Sequence, residues 1–391
     1  MTEQQGYDVV VIGAGVVGCA VAHALVARRM RVAIVEAGRI GHGTSGNTFA
    51  WINATSKTSD EAYHRLNALG AELYRELARE WGDRRIGMHR TGMLEWSSPD
   101  DVARLASMRA AAEQLERWGY PVAWVGRDAL AAMEPHVRFE DGAEGLHAVA
   151  DAWLDVATFL AFLAERLRAD GARVLEGCRA RELVMDDEGR VLGLETDEGR
   201  LHTQHVVVAT GADTADVLTA LTGYDAFAAR FPLRRAAGLL VTTPEEPSHR
   251  LTRRILYTSH ASHLHIRETA AGGLLIGADD TDGRISDDDS EDAVKRAAFD
   301  LLERVRSIIP NFAGGALLDR CRLGIGVRPM PADGMSIAGP VPSADGLHLA
   351  VTHSGVTLAP ALATLIADTI ESGELSPRLA PFGLGRFQTI A

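Results

Sequence analysis

The chain of 391 residues has few cysteines and no excess of positive charge. Its three cysteines, Cys19, Cys178 and Cys321, are scattered and form no Cys-x-x-Cys motif or Cys/His cluster. Their spacing therefore supports neither a disulfide framework nor a zinc site. Acidic side chains outnumber basic ones by 53 to 40, which gives a formal net charge of −13. This balance argues against a nucleic-acid partner and against binding to an anionic membrane surface.

The sequence also lacks the apolar runs that direct secretion or cross a membrane. The residues before the first predicted strand are acidic and polar, so we expect no secretory signal there. The longest apolar stretch contains a glycine-rich turn, and we expect no transmembrane segment. A cytoplasmic protein is the simplest expectation. Its length suggests about two or three domains, and 46% hydrophobic residues suffice for a large core.

Residues 7–36 have the pattern of a strand, a glycine-rich turn, a helix and a second strand that ends in an acid. Gly13 allows the tight turn, Gly15 lets the backbone approach a pyrophosphate, and Gly18 lets the helix pack on the strand. The exposed amides and the positive helix end would receive the phosphates. Glu36 follows at close to the spacing of about 20 residues expected for an acid that binds ribose hydroxyls. The pattern predicts a bound dinucleotide, with a structural glycine turn as the alternative.

Later segments distinguish between a nicotinamide and a flavin, which the first turn alone does not. A nicotinamide enzyme would continue with regular strand–helix alternation, whereas here a polar loop of small residues follows at 42–48. This loop could bring donors to a phosphate or a ring edge, although a plain surface loop is the alternative. A buried strand at 205–208 ends in a second glycine turn, and a third turn at 353–357 precedes a helix. We therefore expect both chain ends to build one nucleotide-binding domain.

The remaining segments predict a second, sheet-based domain. Apolar periodicity from Tyr63 to Trp81 indicates a helix with one core-facing side, and two Asp-Glu-Gly-Arg turns between 187 and 200 indicate an antiparallel meander. Short strands and a helix at about 291–308 occupy much of 226–324.

Together these segments resemble the D-amino-acid oxidase-like family of FAD enzymes, which includes glycine oxidase, sarcosine oxidase and D-amino-acid dehydrogenases. The resemblance covers essentially the whole chain. It rests on the glycine turn at 13–18 with Glu36, the Gly-Thr-Ser-Gly-Asn-Thr loop at 43–48, Ala-Thr-Gly-Ala at 209–212, the segment 326–340, and His-Ser-Gly-Val-Thr at 353–357. The segment 326–340 is the most specific, because a generic Rossmann protein has no reason to contain it.

The resemblance implies an α/β fold with two interleaved parts. The first is a Rossmann-like FAD-binding domain of the glutathione-reductase type, expected to comprise residues 1–50, 145–225 and 325–391. The second is an α+β substrate-binding domain built on an antiparallel sheet, expected to comprise residues 51–144 and 226–324.

The resemblance also assigns residues to the cofactor. Gly13, Gly15 and Gly18 would face the pyrophosphate, Glu36 the adenosine ribose, and Ala180 the adenine through its backbone. Thr44, Ser45, Gly46 and Asn47 would line the phosphates and the flavin edge, and Thr210 and Gly211 would close over the pyrophosphate. Gly355, Val356, Thr357 and Leu358 would place backbone amides beside the flavin pyrimidine. The other expected contacts are Val16, Val17, Ala37, Thr48 and Gly326.

Four side chains are candidates for substrate binding and catalysis. The resemblance implies that Arg328 pairs with a substrate carboxylate, with a structural salt bridge as the alternative. His263 and His265 are two apart on a predicted strand and hence on one face. Either could bind substrate or accept a proton, or be structural. His353 is expected to lie near the flavin.

The implied reaction is FAD-dependent oxidative deamination or demethylation of an amino acid or secondary amine, with hydride transfer from the carbon next to nitrogen to flavin N5. The alternatives are a tailoring oxidase of a larger amine-bearing metabolite and the flavin subunit of a heteromeric dehydrogenase. Gly326 stands where sarcosine oxidase attaches FAD to a cysteine, and Cys321 comes too early, so we expect non-covalent FAD. Leu275 stands where sarcosine oxidase has an oxygen-activating lysine. The electron acceptor, oxygen or another compound, therefore stays open.

Overall fold

The structure is a computed structural model that describes residues 6–223, 230–245, 250–258, 263–286 and 288–387. The predicted domain spans include residues 1–5, 224–229, 246–249, 259–262, 287 and 388–391, which lie outside the described residues.

The secondary structure combines helices with single strands and with runs of consecutive strands. The strands are β1 (Val9–Ile12), β2 (Val32–Glu36), β3 (Trp51–Ile52), β4 (Met88–His89), β5 (Met93–Ser97), β6 (Val122–Gly126), β7 (Glu144–Ala148), β8 (Ala152–Leu154), β9 (Arg173–Glu176), β10 (Ala180–Met185), β11 (Val191–Thr196), β12 (Gly199–His202), β13 (His205–Val208), β14 (Leu233–Thr242), β15 (Ile255–Thr258), β16 (Leu264–Glu268), β17 (Leu274–Ala278), β18 (Arg322–Pro331), β19 (Ile337–Val341) and β20 (Ala344–Val351). The α-helices of the described residues are α1 (Val16–Ala27), α2 (Glu61–Trp81), α3 (Asp83–Ile86), α4 (Val102–Arg117), α5 (Arg127–Met133), α6 (Val156–Ala169), α7 (Thr214–Thr222), α8 (Asp279–Asp282), α9 (Glu291–Ile308) and α10 (Gly355–Ser372).

A six-stranded sheet in the order β19-β20-β13-β1-β2-β9 contains strands from both ends of the chain. Its neighbouring strands are parallel except for the edge strand β19. Strand β1 is buried throughout, as are Val206 to Val208 of β13, which is typical of parallel strands covered on both faces. Helices α1 and α10 pack in the same apolar core on one face. The predicted meander β10-β11-β12 is also present as a three-stranded antiparallel sheet.

An eight-stranded sheet in the order β18-β14-β17-β16-β15-β5-β7-β6 forms the other large layer, and α9 packs in its apolar core. Every neighbouring pair is antiparallel except β5 and β15, so the sheet is mixed and not purely antiparallel as predicted. The physical reason is that β5 and β15 are distant in the chain, and a long connection permits parallel pairing where a hairpin does not. The predicted boundaries at 145 and 325 fall inside β7 and β18.

Within the described residues, the longer helices contain too many polar residues for a bilayer span, and none qualifies as a membrane-crossing segment.

Candidate flavin and substrate site

The first glycine turn brings β1, α1 and β13 into closer contact than side chains would permit. Gly13 has a φ of +98°, and a Cβ atom there would lie 2.6 Å from the carbonyl oxygen of Ala209. A Cβ atom on Gly18 would overlap the carbonyl oxygen of Gly13. The glycines thus let the backbone fold back on itself and bring the start of α1 against β1 and β13.

The polar loop after β2 is a bridge between the turn and the second sheet. The Ser45 hydroxyl accepts a hydrogen bond from the Val16 amide at 3.0 Å, and the Thr44 hydroxyl donates to the Val327 carbonyl. A Cβ atom on Gly46 would lie 2.8 Å from the Gly41 carbonyl oxygen. These contacts tie the loop to both sheets, and its role at a phosphate or a ring edge stays a prediction.

Strand β18 passes close to the far end of this loop. A Cβ atom on Gly326 would overlap the carbonyl oxygen of Asn47, and one on Gly324 would lie 2.5 Å from Asn47 Oδ1. The Thr48 hydroxyl accepts from the Ala50 amide at 3.2 Å and supports the turn that follows. A side chain at position 326 would therefore require the loop to move.

The predicted ribose-binding acid has a fixed carboxylate. Glu36 accepts hydrogen bonds from the amides of Ala14 at 2.8 Å and Gly38 at 2.7 Å, and Ala37 lies between Glu36 and Gly38 in the chain. The Cys178 amide donates to the Glu36 carbonyl at 2.9 Å, which brings the start of β10 and hence Ala180 to this end of the sheet. The turn of Thr210 and Gly211 directly follows Ala209, whose carbonyl touches Gly13, so the structure brings these predicted residues together.

Helix N-termini provide a test of whether this region suits a dinucleotide. Among the described helices of ten or more residues, four have an N-terminus capped by a side chain: Asp60 for α2, Asp101 for α4, Asp155 for α6 and Ser290 for α9. The N-cap residues of α1 and α10 make no such bond, although Ser45 accepts the Val16 amide of α1, and neither helix has an acidic residue in its first turn. Free amides with a partial positive charge suit phosphate and ring oxygens, so the residues present fit FAD.

The two uncapped N-termini are neighbours. A Cβ atom on Gly355 would lie 3.5 Å from Val17 Cγ2. Of the four amides expected beside the flavin, that of Leu358 donates within the helix to Ser354 at 3.0 Å. The amides of Gly355, Val356 and Thr357 belong to the first turn, where no intrahelical acceptor exists.

His353 is held in place by hydrogen bonds at the start of α10. Its Nε2 lies 2.9 Å from the Gly334 carbonyl oxygen and 3.2 Å from the Tyr63 hydroxyl, which also contacts the Ser354 hydroxyl at 3.2 Å. Burial, and then the charge of Lys57, lower the pKa of His353 to about 4. The ring is neutral at neutral pH, and because a carbonyl accepts from Nε2, that nitrogen carries the proton and is not a base.

Arg328, on β18, forms an ion pair with Asp282 of α8 at 2.7 Å. Asp282 also accepts a hydrogen bond from the Leu239 amide at 3.2 Å. Burial raises the pKa of Asp282 to about 6 although Arg328 opposes the change. The carboxyl group is thus ionised at neutral pH, and the charge of Arg328 is balanced before any substrate arrives.

Both candidate histidines of the second sheet pack near the ring of Tyr257. His265 lies on β16, whereas His263 precedes that strand with a φ of +60°. The Tyr257 hydroxyl donates to Asp279 at 2.7 Å and lies 3.2 Å from His263 Nδ1. The His265 ring packs edge-on against Phe49 at 4.6 Å, and burial lowers its pKa. Phe49 directly follows the polar loop, so His265 lies near the cofactor region.

Sequence reasoning missed three groups that act on His353 or Arg328, namely Lys57, Asp282 and the hydroxyl of Tyr63. Tyr63 was predicted only as core, and its buried ring agrees with that. Lys57 could have been found from composition, since the chain has only two lysines, Lys57 and Lys295, among forty basic residues. Asp282 gave no signal, because it lies within an ordinary acidic stretch.

Comparison with known proteins agrees with this geometry. The glycine oxidase of Geobacillus kaustophilus (strain HTA426) is 29% identical over 397 aligned positions that cover 97% of each chain. Solved structures with this fold include an L-proline dehydrogenase from P. horikoshii, with a TM-score of 0.83, 20% identity and 98% of both chains covered. A glycine oxidase structure from Geobacillus kaustophilus has a TM-score of 0.78 and 24% identity, and covers 97% of this chain and 98% of that chain. The model of the FAD dependent oxidoreductase family matches residues 8–369, and the chain belongs to that family.

Proposed function

We propose that this FAD enzyme oxidises an amino acid or secondary amine at the carbon next to nitrogen, by oxidative deamination or demethylation. One observation carries the proposal: the loop at 44–48 and strand β18 connect the dinucleotide turn directly to the charged cluster around Arg328. A relative named glycine oxidase, 29% identical over nearly the full length, supports the substrate class.

In this proposal one large sheet binds FAD and the other binds the substrate. The six-stranded sheet, with residues 1–50, 145–225 and 325–391, is the FAD-binding domain of the glutathione-reductase type. Residues 51–144 and 226–324 form the substrate-binding domain, with the limits at 145 and 325 adjusted to the ends of β7 and β18. Its sheet is antiparallel apart from one pair.

Bound FAD would accept the hydride at N5. The amine must be neutral to release that hydride, and the neutral His353, the Tyr63 hydroxyl and the apolar ring of Phe49 provide surroundings that disfavour an ammonium ion. The product imine then takes up water and yields a carbonyl compound and ammonia or an amine. The two electrons leave to oxygen or to another acceptor. Leu275 is a buried leucine on β17, and it offers oxygen no cation.

Non-covalent FAD is part of the proposal. The close packing of Gly326 on Asn47 supports it, because a cysteine side chain there would meet the loop backbone. Burial raises the pKa of the Cys321 thiol, and that residue packs at the core of the second sheet. It is therefore a protonated and poorly placed nucleophile.

The experiment that tests the function is anaerobic reduction of the purified enzyme by a panel of glycine, D- and L-amino acids, and N-methyl amino acids. We expect a yellow protein whose flavin is released by acid and bleached by at least one member. A colourless protein that binds NAD, or a flavin that no member reduces, would contradict the proposal. The second result would favour a larger amine-bearing metabolite or a heteromeric subunit, which the relatives described above do not favour.

A further inference from the structure

We propose that Lys57 is the cation that binds the carboxylate of the substrate, an inference that rests on the proposed amino-acid oxidation. Lys57 follows strand β3, in a loop whose Asn53 amide donates to the Thr357 hydroxyl at the start of α10 at 3.2 Å. It would thus determine specificity for acids over the corresponding amides and amines.

The positive charge of Arg328 is largely neutralised before a substrate binds. Its guanidinium is already paired with Asp282 at 2.7 Å, and Asp282 is further held by a backbone amide. A substrate carboxylate that approached Arg328 would also approach Asp282, and the two negative charges would repel each other. A second cation is therefore needed to favour a carboxylate over a neutral group.

Lys57 is such a cation. Its Nζ atom lies 5.8 Å from the centre of the Tyr63 ring, and the hydroxyl of that ring contacts His353 and Ser354 at the start of α10. Within the part of the chain that the structure describes, Nζ has no hydrogen-bond or ion-pair partner. Asp279 acts on this partly buried ammonium group without forming an ion pair, so the group near the start of α10 can still bind a carboxylate directly.

The loop that carries Lys57 is rigidly anchored. The Lys57 amide donates to the Ala54 carbonyl at 3.1 Å, and the Ala54 amide donates to the Tyr120 hydroxyl at 3.2 Å. The hydroxyls of Thr55 and Tyr120 both donate to the buried Asp151 at 2.7 Å. Such anchoring is what a binding residue needs, because a preorganised charge costs little entropy when the ligand arrives.

The surrounding charges make the lysine titratable in a useful range. Burial, opposed by the charge of Asp279 and assisted to a smaller extent by Arg328, lowers the pKa of Lys57 to about 8. His353, which is neutral near pH 7, and the Tyr63 ring also face the lysine. Lys57 is thus charged below about pH 8 and loses its charge above it.

The test uses the holoenzyme and two probes of equal shape, benzoate and benzamide, titrated through the change in flavin absorbance. We expect Lys57→Met to bind benzoate about ten- to a hundredfold more weakly, with benzamide unchanged. Lys295→Met is the matched control, because Lys295 pairs with the exposed Glu291 on α9 and its loss should leave both Kd values unaltered. Lys57→Arg should restore most of the affinity for benzoate.

The pH dependence provides a second readout. Benzoate binding to the wild type should weaken as the pH rises above about 8, where Lys57 loses its proton. Lys57→Arg should remove that dependence, since a guanidinium keeps its proton. A purely structural role for Lys57 predicts neither effect.

Three results would overturn the proposal: benzoate binding that Lys57→Met leaves unchanged, equal losses for benzoate and benzamide, or a wild type that binds no carboxylate. A variant that keeps benzoate affinity but is reoxidised slowly by oxygen would assign Lys57 to oxygen activation instead. If the wild type is reduced by an amino acid while Lys57→Met binds benzoate normally, only the Lys57 role fails. If no amine or amino acid reduces the wild type, the proposed function itself fails.

Discussion

The two ends of the candidate site are built from different material. At the dinucleotide end the surface is mostly backbone, because Gly13 and Gly18 pack without room for a Cβ atom and the N-cap residues of two helices make no side-chain bond. At the substrate end it consists of charged side chains, above all Lys57, Arg328 and Asp282. Ligand affinity at a backbone surface depends on its shape, whereas affinity at charged side chains depends on their protonation. Substitutions at the dinucleotide end should therefore reduce the amount of bound FAD. Substitutions at the substrate end should change ligand affinity while FAD stays bound.

The largest effect is expected from Gly18→Ala. Its Cβ atom would overlap the Gly13 carbonyl, so α1 would be forced away from β1. We expect loss of most bound FAD and a destabilisation of about 1–3 kcal/mol. The ratio of flavin to protein absorbance after gel filtration and a urea titration measure both. Gly43→Ala is the control, because a Cβ atom there has open space, and a similar loss in that variant would refute the steric explanation.

The difference between a backbone surface and a cluster of charged side chains also explains which parts of the site could be predicted from the sequence. Gly13, Gly15, Gly18 and Glu36 lie in one continuous segment, where spacing alone reports geometry, and the strands and helices around them were predicted with nearly correct bounds. Lys57, Asp282 and Arg328 come from three distant segments, and no local pattern encodes that they meet. The parallel pairing of β5 with β15 was missed for the same reason.

The second prediction concerns the buried carboxylate that anchors the Lys57 loop. Asp151→Ala removes the acceptor for Trp51 Nε1, the Thr55 hydroxyl and the Tyr120 hydroxyl. We expect the free energy of unfolding to fall by about 2–4 kcal/mol with FAD in excess. Asp141→Ala, at a fully exposed position, should change it by less than about 0.5 kcal/mol.

The same carboxylate gives this prediction a pH signature. Burial raises the pKa of Asp151 to about 7 from its ordinary value of 3.8, so the folded state binds the proton more tightly than the unfolded state. The contribution of this group to stability therefore decreases as the pH rises from about 4 to 7. The difference in stability between the wild type and Asp151→Ala should be larger at pH 5 than at pH 7, and the reverse order would contradict the explanation.

A smaller effect is expected from Asp282→Asn, which keeps the acceptor for the Leu239 amide but removes the charge beside Arg328. We expect benzoate to bind about five- to tenfold more tightly at pH 7.5, with FAD content unchanged. In the wild type, affinity should rise as the pH falls through about 6, where Asp282 takes up a proton, and the variant should lack that rise. Asp280→Asn, on the same helix but paired with Arg304, is the control. Weaker benzoate binding to Asp282→Asn would show that Asp282 positions Arg328 for the ligand and does not compete with it.

The smallest effect is expected from Glu36→Gln, which tests whether the backbone end also uses charge. Both carboxylate oxygens of Glu36 accept backbone amides, so a glutamine keeps one of these bonds and turns its amino group toward the other donor. We expect the Kd for FAD to rise only about two- to fivefold, measured by titrating apoprotein and following flavin fluorescence. Glu176→Gln, its cross-strand neighbour that accepts from the Ile40 amide, should leave the Kd unchanged. A loss of FAD as complete as that of Gly18→Ala would mean that the dinucleotide end depends on this one side chain, and the division between backbone and charge would then fail.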